Sequence, residues 1–168
     1  MERAIFFDRD GVLNEEVGYL WRVEDFRWIA GAREAIKLCN ERGFLTVVVT
    51  NQSGIARGLY TARDVDNLHA FMQRSLAEVG AHIDAFYYCP HHPEGKVAEF
   101  SVVCDCRKPK PGMILRACAD LNIDPAQSIL FGDSKRDIEA AEAAGLRAGI
   151  PFFSGNLCDA VKAELETL

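Results

Sequence analysis

The sequence predicts an α/β fold in which a parallel sheet carries helices on both faces, and three observations support this. Short apolar runs rich in Ile, Val and Phe alternate with stretches of helical spacing. The apolar runs are continuous rather than alternating, as strands covered on both faces require. The strand–helix unit recurs along the chain with no internal repeat, low-complexity tract or interdomain linker, so one domain is expected over 1–168.

"AIFF" (4–7) is the first such run. "GAREAIKLCNER" (31–42) has helical spacing, with Gly43 placed to close it. "FLTVVVT" (44–50) is β-branched and apolar, a buried strand. Thr61 reads as an N-cap with Asp64 as its capping-box partner, before a stripe of Val65, Leu68, Met72, Leu76 and Val79 that stops at Gly80. "IDAFYYC" (83–89) is strand-like, and 111–121 returns to helical spacing through Ile114, Cys118 and Leu121. "SILFGD" (128–133) is a strand ending on an acid, and "KRDIEAAEAAG" (135–145) an alanine-rich helix ending at glycine. "LRAGIPF" gives a last strand, and 156–168 a last helix carrying Leu157, Val161, Leu165 and Leu168. Two long stretches, 9–30 and 89–110, have no regular pattern, and compact domains seldom carry such loops without a functional reason.

A chain of 168 residues with 49% hydrophobic and 26% charged residues is ordinary for a globular domain with a sizeable core. Its formal net charge of −6 argues against a nucleic-acid face, and means that an anionic substrate needs a bound cation or local Lys/Arg. No apolar run approaches the ~20 residues of a membrane span, and "MERAIFFDRD" lacks a leader-peptide pattern, so a cytoplasmic protein is expected. Cys39, Cys118 and Cys158 fall in helical patterns and read as small core residues.

In an open parallel sheet, ligands bind beyond the carboxyl ends of the strands. The first strand ends at Asp8, the second at Thr50-Asn51, the fourth at Gly132-Asp133, and "CRKPKPG" supplies Lys108 from a non-helical segment. Singly, each has an ordinary explanation: Asp-x-Asp-Gly is a turn, Lys108 a solvated charge, Asp133 an N-cap. Together, at successive strand ends, they fit phosphoryl transfer. Asp8 is the expected nucleophile. Asp10 is the expected general acid and base. Thr50 and Lys108 would bind the phosphoryl oxygens. A Mg²⁺ ion would be held by the carboxylates of Asp8 and Asp133 and the backbone carbonyl of Asp10.

"FFDRDGVLN", "VVTNQSG", "CRKPKPG" and "FGDSKRD" resemble, in order, the four motifs of the haloacid dehalogenase superfamily of phosphatases. The resemblance implies a Rossmann-like parallel sheet and magnesium as cofactor. Val12 departs from it, standing where many members carry Thr. Asp137, one helical turn after Asp133, is either a second acid supporting the metal or a solvent-facing acid in a helix's first turn.

The 89–110 stretch holds Cys89, His91, His92, Cys104 and Cys106. A Cys-x-His with a Cys-x-Cys offers the four N/S ligands of a closed structural Zn²⁺ site. A Cys104–Cys106 redox pair, or packed thiols beside exposed histidines, are the other readings. Zinc would order a loop poor in apolar residues and hold Arg107 and Lys108 just beyond its last ligand.

With "DRDGVLNEEVGYL", "TNQSGIARG" and "YCPHHPEG", this insertion narrows the resemblance to the heptose bisphosphate phosphatase family. That likeness implies a monomer without a large cap domain. It implies removal of the 7-phosphate of D-glycero-D-manno-heptose 1,7-bisphosphate on the route to lipopolysaccharide. It also implies Cys89, His91, Cys104 and Cys106 as the zinc ligands, with His92 a neighbour. Asn14, Tyr19, Asn51, Ser53, Arg57 and Arg107 are the substrate contacts it suggests. Histidinol-phosphate phosphatases share the fold and a similar zinc loop, and a phosphosugar-binding protein without chemistry is the reading from another class.

Overall fold

The computed structural model describes residues Met1–Leu168. Five strands, β1 (Ala4–Phe7), β2 (Leu45–Asn51), β3 (Ala85–Cys89), β4 (Ile129–Gly132) and β5 (Ala148–Pro151), form one sheet in the order β3-β2-β1-β4-β5. Every pairing is parallel. Between and after them run α1 (Ala32–Glu41), α2 (Ala62–Ala77), α3 (Gly112–Leu121), α4 (Lys135–Ala143) and α5 (Leu157–Leu165). The expected architecture is therefore present.

Alternate residues of β1 face opposite sides of the sheet, because a strand has a period of two. Ile5 and Phe7 join a core with α1, α2 and α5 residues such as Ile36, Leu68, Met72 and Val161. Ala4 and Phe6 join a second core with α3 and α4, including Ile114, Ala117, Ala140 and Ala141. The alanines of α4 let it approach β5 closely, where a Cβ on Gly149 would already touch Ala141 and Ile138. Val12, where the superfamily often has Thr, is fully buried in the first core, so an apolar side chain suits it.

The element ends differ from the sequence expectation where side chains replace backbone pairing. Asp84 lies outside β3 because its carboxylate accepts the Thr46 N–H at 2.8 Å, doing a strand carbonyl's work. Ser128 stays outside β4 in the same way, its Oγ accepting the Ala4 N–H. Thr61 and Asp64 form the expected reciprocal cap on α2. Cys39 is fully buried as expected, whereas Cys118 and Cys158 are only half-buried at the margins of the two cores. No helix is long and apolar enough to cross a membrane.

Strand order reverses between β1 and β4, and the crevice outside their carboxyl ends is where such sheets bind ligands. Asp8 follows β1 directly and Asp133 follows β4 directly. Leu130 of β4 is fully buried in the second core. Leu130→Ala should lower unfolding free energy by about 2–5 kcal/mol, the usual cost of a core cavity. Urea unfolding checks this, and an unchanged midpoint would mean that β4 is not packed as described.

Candidate active site

Asp8, Asp133 and Asp137 present oxygens that all lie within 4.8 Å of one another. Their close approach depends on glycines. Gly11 has φ +88°, and a Cβ there would collide with the Asp133 carboxylate. A Cβ on Gly132 would collide with Asp137.

One buried cation sits among them. Lys108 Nζ donates to Asp8 Oδ1 at 2.9 Å and to the Val49 carbonyl at 2.8 Å, and lies 2.6 Å from Asp137 Oδ1. Three ammonium protons thus meet three acceptors. The lysine's backbone is fixed by Asn51, whose side chain donates to the Lys108 carbonyl and accepts the Lys108 N–H. Burial opposes the charge on Lys108, but the two carboxylates outweigh it and its pKa is raised. Burial also raises Asp8, to about 7, against the lowering effect of Lys108 and with further upward pressure from Asp137. Asp133 is raised by the same desolvation and by Asp137.

The donor set fits a divalent cation. Three carboxylates face a single ammonium, a hard-oxygen cluster that is still anionic. Asp137 is the most committed of the three: beyond Lys108, its Oδ2 accepts the N–H groups of Asp133 and Ser134 and the Ser134 hydroxyl. It is 1% exposed, which rules out the solvent-facing reading. Asp8 and Asp133 are left as the carboxylates with capacity for a metal.

Asp10 is held by four contacts. Arg9 donates to both carboxylate oxygens, Asn14 Nδ2 donates to Oδ1 at 2.9 Å, and Gln52 Nε2 donates to Oδ2 at 3.1 Å. Gln52 also donates to Thr50 Oγ1 and accepts from the Tyr60 hydroxyl. Arg9 is fully buried, and its remaining contacts are the Leu20 carbonyl and His69 Nε2, 3.2 Å away. His69 stacks on Phe86 at 4.2 Å.

Two adjoining polar cavities open here. The first, about 200 Å³, is lined by Asp8, Thr50, Lys108 and Asp133 among others, with no apolar wall. The second, about 320 Å³, is lined by Tyr19, Ser53, Arg57 and Arg107 among others. Asp10, Glu16, Asn51 and Arg136 border both. The structure therefore gathers the expected residues around one cleft, with one correction. Asn14 is fully buried and lines neither cavity, because its amide is turned inward to hold Asp10. Asn51 does line the cleft, yet its side chain is occupied by Lys108.

The cysteine insertion packs against the second cavity. Cys89, His91, Cys104 and Cys106 place their donor atoms within 4.8 Å of one another, with Cys106 Sγ 2.8 Å from Cys89 Sγ and His91 Nδ1 3.4 Å from Cys106 Sγ. All six cysteines are free. Their mutual contact pulls Cys106 down to about 5 and pushes Cys89 up, since neighbouring thiols cannot all ionise without a cation between them. Three sulfurs and an imidazole nitrogen converging in this way fit zinc. His92 lies outside the cluster, its Nε2 3.2 Å from Arg57 Nη2. The Ala56 carbonyl accepts the N–H groups of Lys96 and Val97, tying the insertion to the segment that carries Arg57.

The sequence model of the haloacid dehalogenase-like hydrolases matches residues 12–145. The chain belongs to that family. It is 46% identical over 166 residues to the D-glycero-beta-D-manno-heptose-1,7-bisphosphate 7-phosphatase of Haemophilus ducreyi, covering 98% of this chain and 89% of that protein. The enzyme of the same name from Yersinia pestis is 50% identical over 152 residues, covering 90% of this chain and 81% of that protein. The crystal structure of a D,D-heptose 1,7-bisphosphate phosphatase from B. bronchiseptica, complexed with magnesium and phosphate, superposes with a TM-score of 0.84 at 30% identity, over 99% of both chains.

Sequence reasoning assigned no role to Arg9, Gln52, Tyr60, His69, Glu16 or Arg136. Arg9, Gln52 and Arg136 sit inside motifs that were legible, and Glu16 inside the longer "DRDGVLNEEVGYL" stretch, but Tyr60 and His69 carry no local signal. His69 supplies a test. Burial, then Arg9, lowers its pKa from 6.5 to about 3, so the native protein holds fewer protons there than the unfolded chain. Its contribution is intact above about pH 6.5 and is lost as the pH falls toward 3, amounting to roughly 2 kcal/mol by pH 5. His69→Gln should lose correspondingly less stability than the parent between pH 7 and pH 5. Equal losses in urea unfolding would show that His69 is not buried neutral.

Proposed function

We propose that this protein is a magnesium-dependent phosphatase that removes the 7-phosphate of D-glycero-β-D-manno-heptose 1,7-bisphosphate, a step toward the ADP-heptose of lipopolysaccharide. The observation that carries the proposal is the 46–50% identity over at least nine-tenths of the chain to enzymes of that name. The activity for which those enzymes are named also supplies the β anomer, which no residue pattern encodes. A cluster of cysteines poised as metal ligands suits a reducing cytoplasm, and a monomer is what the likeness to the heptose bisphosphate phosphatases implies.

Asp8 attacks the phosphorus of the 7-phosphate, and the bond from phosphorus to the sugar oxygen breaks as the aspartyl-phosphate forms. Asp10, aimed by Arg9, Asn14 and Gln52, gives its proton to the departing alkoxide. It then takes a proton from the water that hydrolyses the aspartyl-phosphate, and Asp8 is regenerated with release of phosphate. Thr50 and Lys108 face the transferring group, and Lys108 also holds Asp8 in line. Magnesium, held by Asp8, Asp133 and the Asp10 carbonyl, would supply positive charge to the phosphoryl oxygens and favour ionised Asp8. Ser53, Arg57, Arg107, Asn51 and Tyr19 receive the rest of the substrate in the second cavity. Cys89, His91, Cys104 and Cys106 would hold a structural zinc that fixes that wall.

Phosphate release from the two heptose bisphosphate anomers and from histidinol phosphate, each with and without Mg²⁺, tests the proposal. The β anomer should give the highest kcat/KM, only with metal, and Asp8→Asn should abolish turnover without unfolding the protein. Faster hydrolysis of histidinol phosphate would overturn the substrate assignment. No metal-dependent release from any phosphomonoester would favour a binding protein.

Cys106→Ala should remove near-stoichiometric zinc, make the 89–110 loop protease-sensitive and raise KM more than it lowers kcat. Metal analysis of the purified variant decides; full zinc content would exclude this ligand set.

A further inference from the structure

Arg57, Arg107 and Arg136 converge on the second cavity, and none of them forms an ion pair. Arg57 Nε and Arg107 Nη1 are buried without a hydrogen-bond partner. Like charges gathered in a recess without a counterion are costly unless the recess is meant for an anion. A phosphate dianion matches this seat, because guanidinium forks pair with phosphate oxygens.

Arg136 differs from the other two. It stands in the first turn of α4, three residues beyond Asp133, and is the one arginine that borders both cavities. Its neighbour Lys135 is engaged with Glu139, while Arg136 is exposed and uncommitted. The carboxylates bordering the second cavity are Asp10, held by its own four donors, and Glu16, whose Oε1 accepts the Gly18 N–H at 2.7 Å. Neither neutralises the arginines.

We propose that Arg136 is a specificity-determining residue: it completes a three-guanidinium seat for the phosphate that is not cleaved, and from the junction of the cavities it selects substrates whose second phosphate reaches that seat. The assignment rests on the reading of the protein as a sugar bisphosphate phosphatase. It extends the contacts of Arg57 and Arg107 to a residue on a different element, fixed by the same helix that positions Asp133.

The test is steady-state kinetics of the parent, Arg136→Gln and Arg136→Lys on heptose 1,7-bisphosphate and on heptose 7-phosphate, which shares the scissile group but lacks the distal phosphate. The parent should prefer the bisphosphate. Arg136→Gln should cut the ratio of the two kcat/KM values by about 10- to 100-fold, the scale of one lost hydrogen bond to a charged group. The loss should fall mainly in KM, and Arg136→Lys should restore part of it. A ratio that Arg136→Gln leaves where it was overturns the role of Arg136 while leaving the function intact. A parent with no preference for the bisphosphate overturns the functional reading itself.

Discussion

The Lys108 ammonium is the interaction on which the rest of the site depends. The sheet brings Asp8 and Asp133 to the tips of adjacent strands and α4 adds Asp137, so three carboxylates compete for one recess. Left alone they would repel or stay protonated. Lys108 is 3% exposed and touches Asp8, Asp137 and the end of β2 at once. It joins three elements through one charge. Yet a single cation does not balance three acids, and Asp8 remains raised to about 7 even with Lys108 beside it. The residual negative charge is what suits the recess to a divalent cation rather than to a structural ion-pair network alone.

The position of Lys108 depends in turn on the insertion. Cys106, Arg107 and Lys108 are consecutive, so ordering the cysteine cluster constrains both cations within the span of two peptide units. The exit from the cluster is equally tight, for a Cβ on Gly112 would collide with the Asp105 carbonyl. On the other side, Ala56 takes two N–H groups from the loop, and Arg57 follows it directly. A loop with little apolar content has few ways to hold Lys108 against the acidic recess and Arg107 against the second cavity. Four converging N/S ligands are one way that needs no larger core.

The fold was legible because its strands are continuous apolar runs and its helices have clear spacing. The chemical residues were legible because they sit at the ends of those elements in motif order. What stayed hidden was pairing between distant positions. Arg9 lies between two acids in the sequence, yet it is fully buried and spans 60 positions to reach His69. Tyr60 and Gln52 act on Asp10 through a chain of hydrogen bonds that no spacing announces. Asn14 was expected at the substrate and instead supports Asp10, since residue type alone does not tell which way an amide turns. Asp137 is not the solvent-facing acid that was one of its two readings, because it is buried against Lys108.

The division into two cavities also explains how a chain of net charge −6 handles a highly anionic substrate. On the proposed mechanism the first cavity is rich in carboxylates because the reaction needs a nucleophile, an acid and metal ligands there. The second cavity holds three guanidiniums and performs no bond-breaking. Holding a remote phosphate there lets binding energy offset the cost of bringing the scissile group against Asp8, in keeping with the general rule that contacts away from the reacting atoms can accelerate the chemical step. The acids assigned to the reaction and the arginines assigned to the approach thus line adjoining cavities, and Arg136 stands where the two meet.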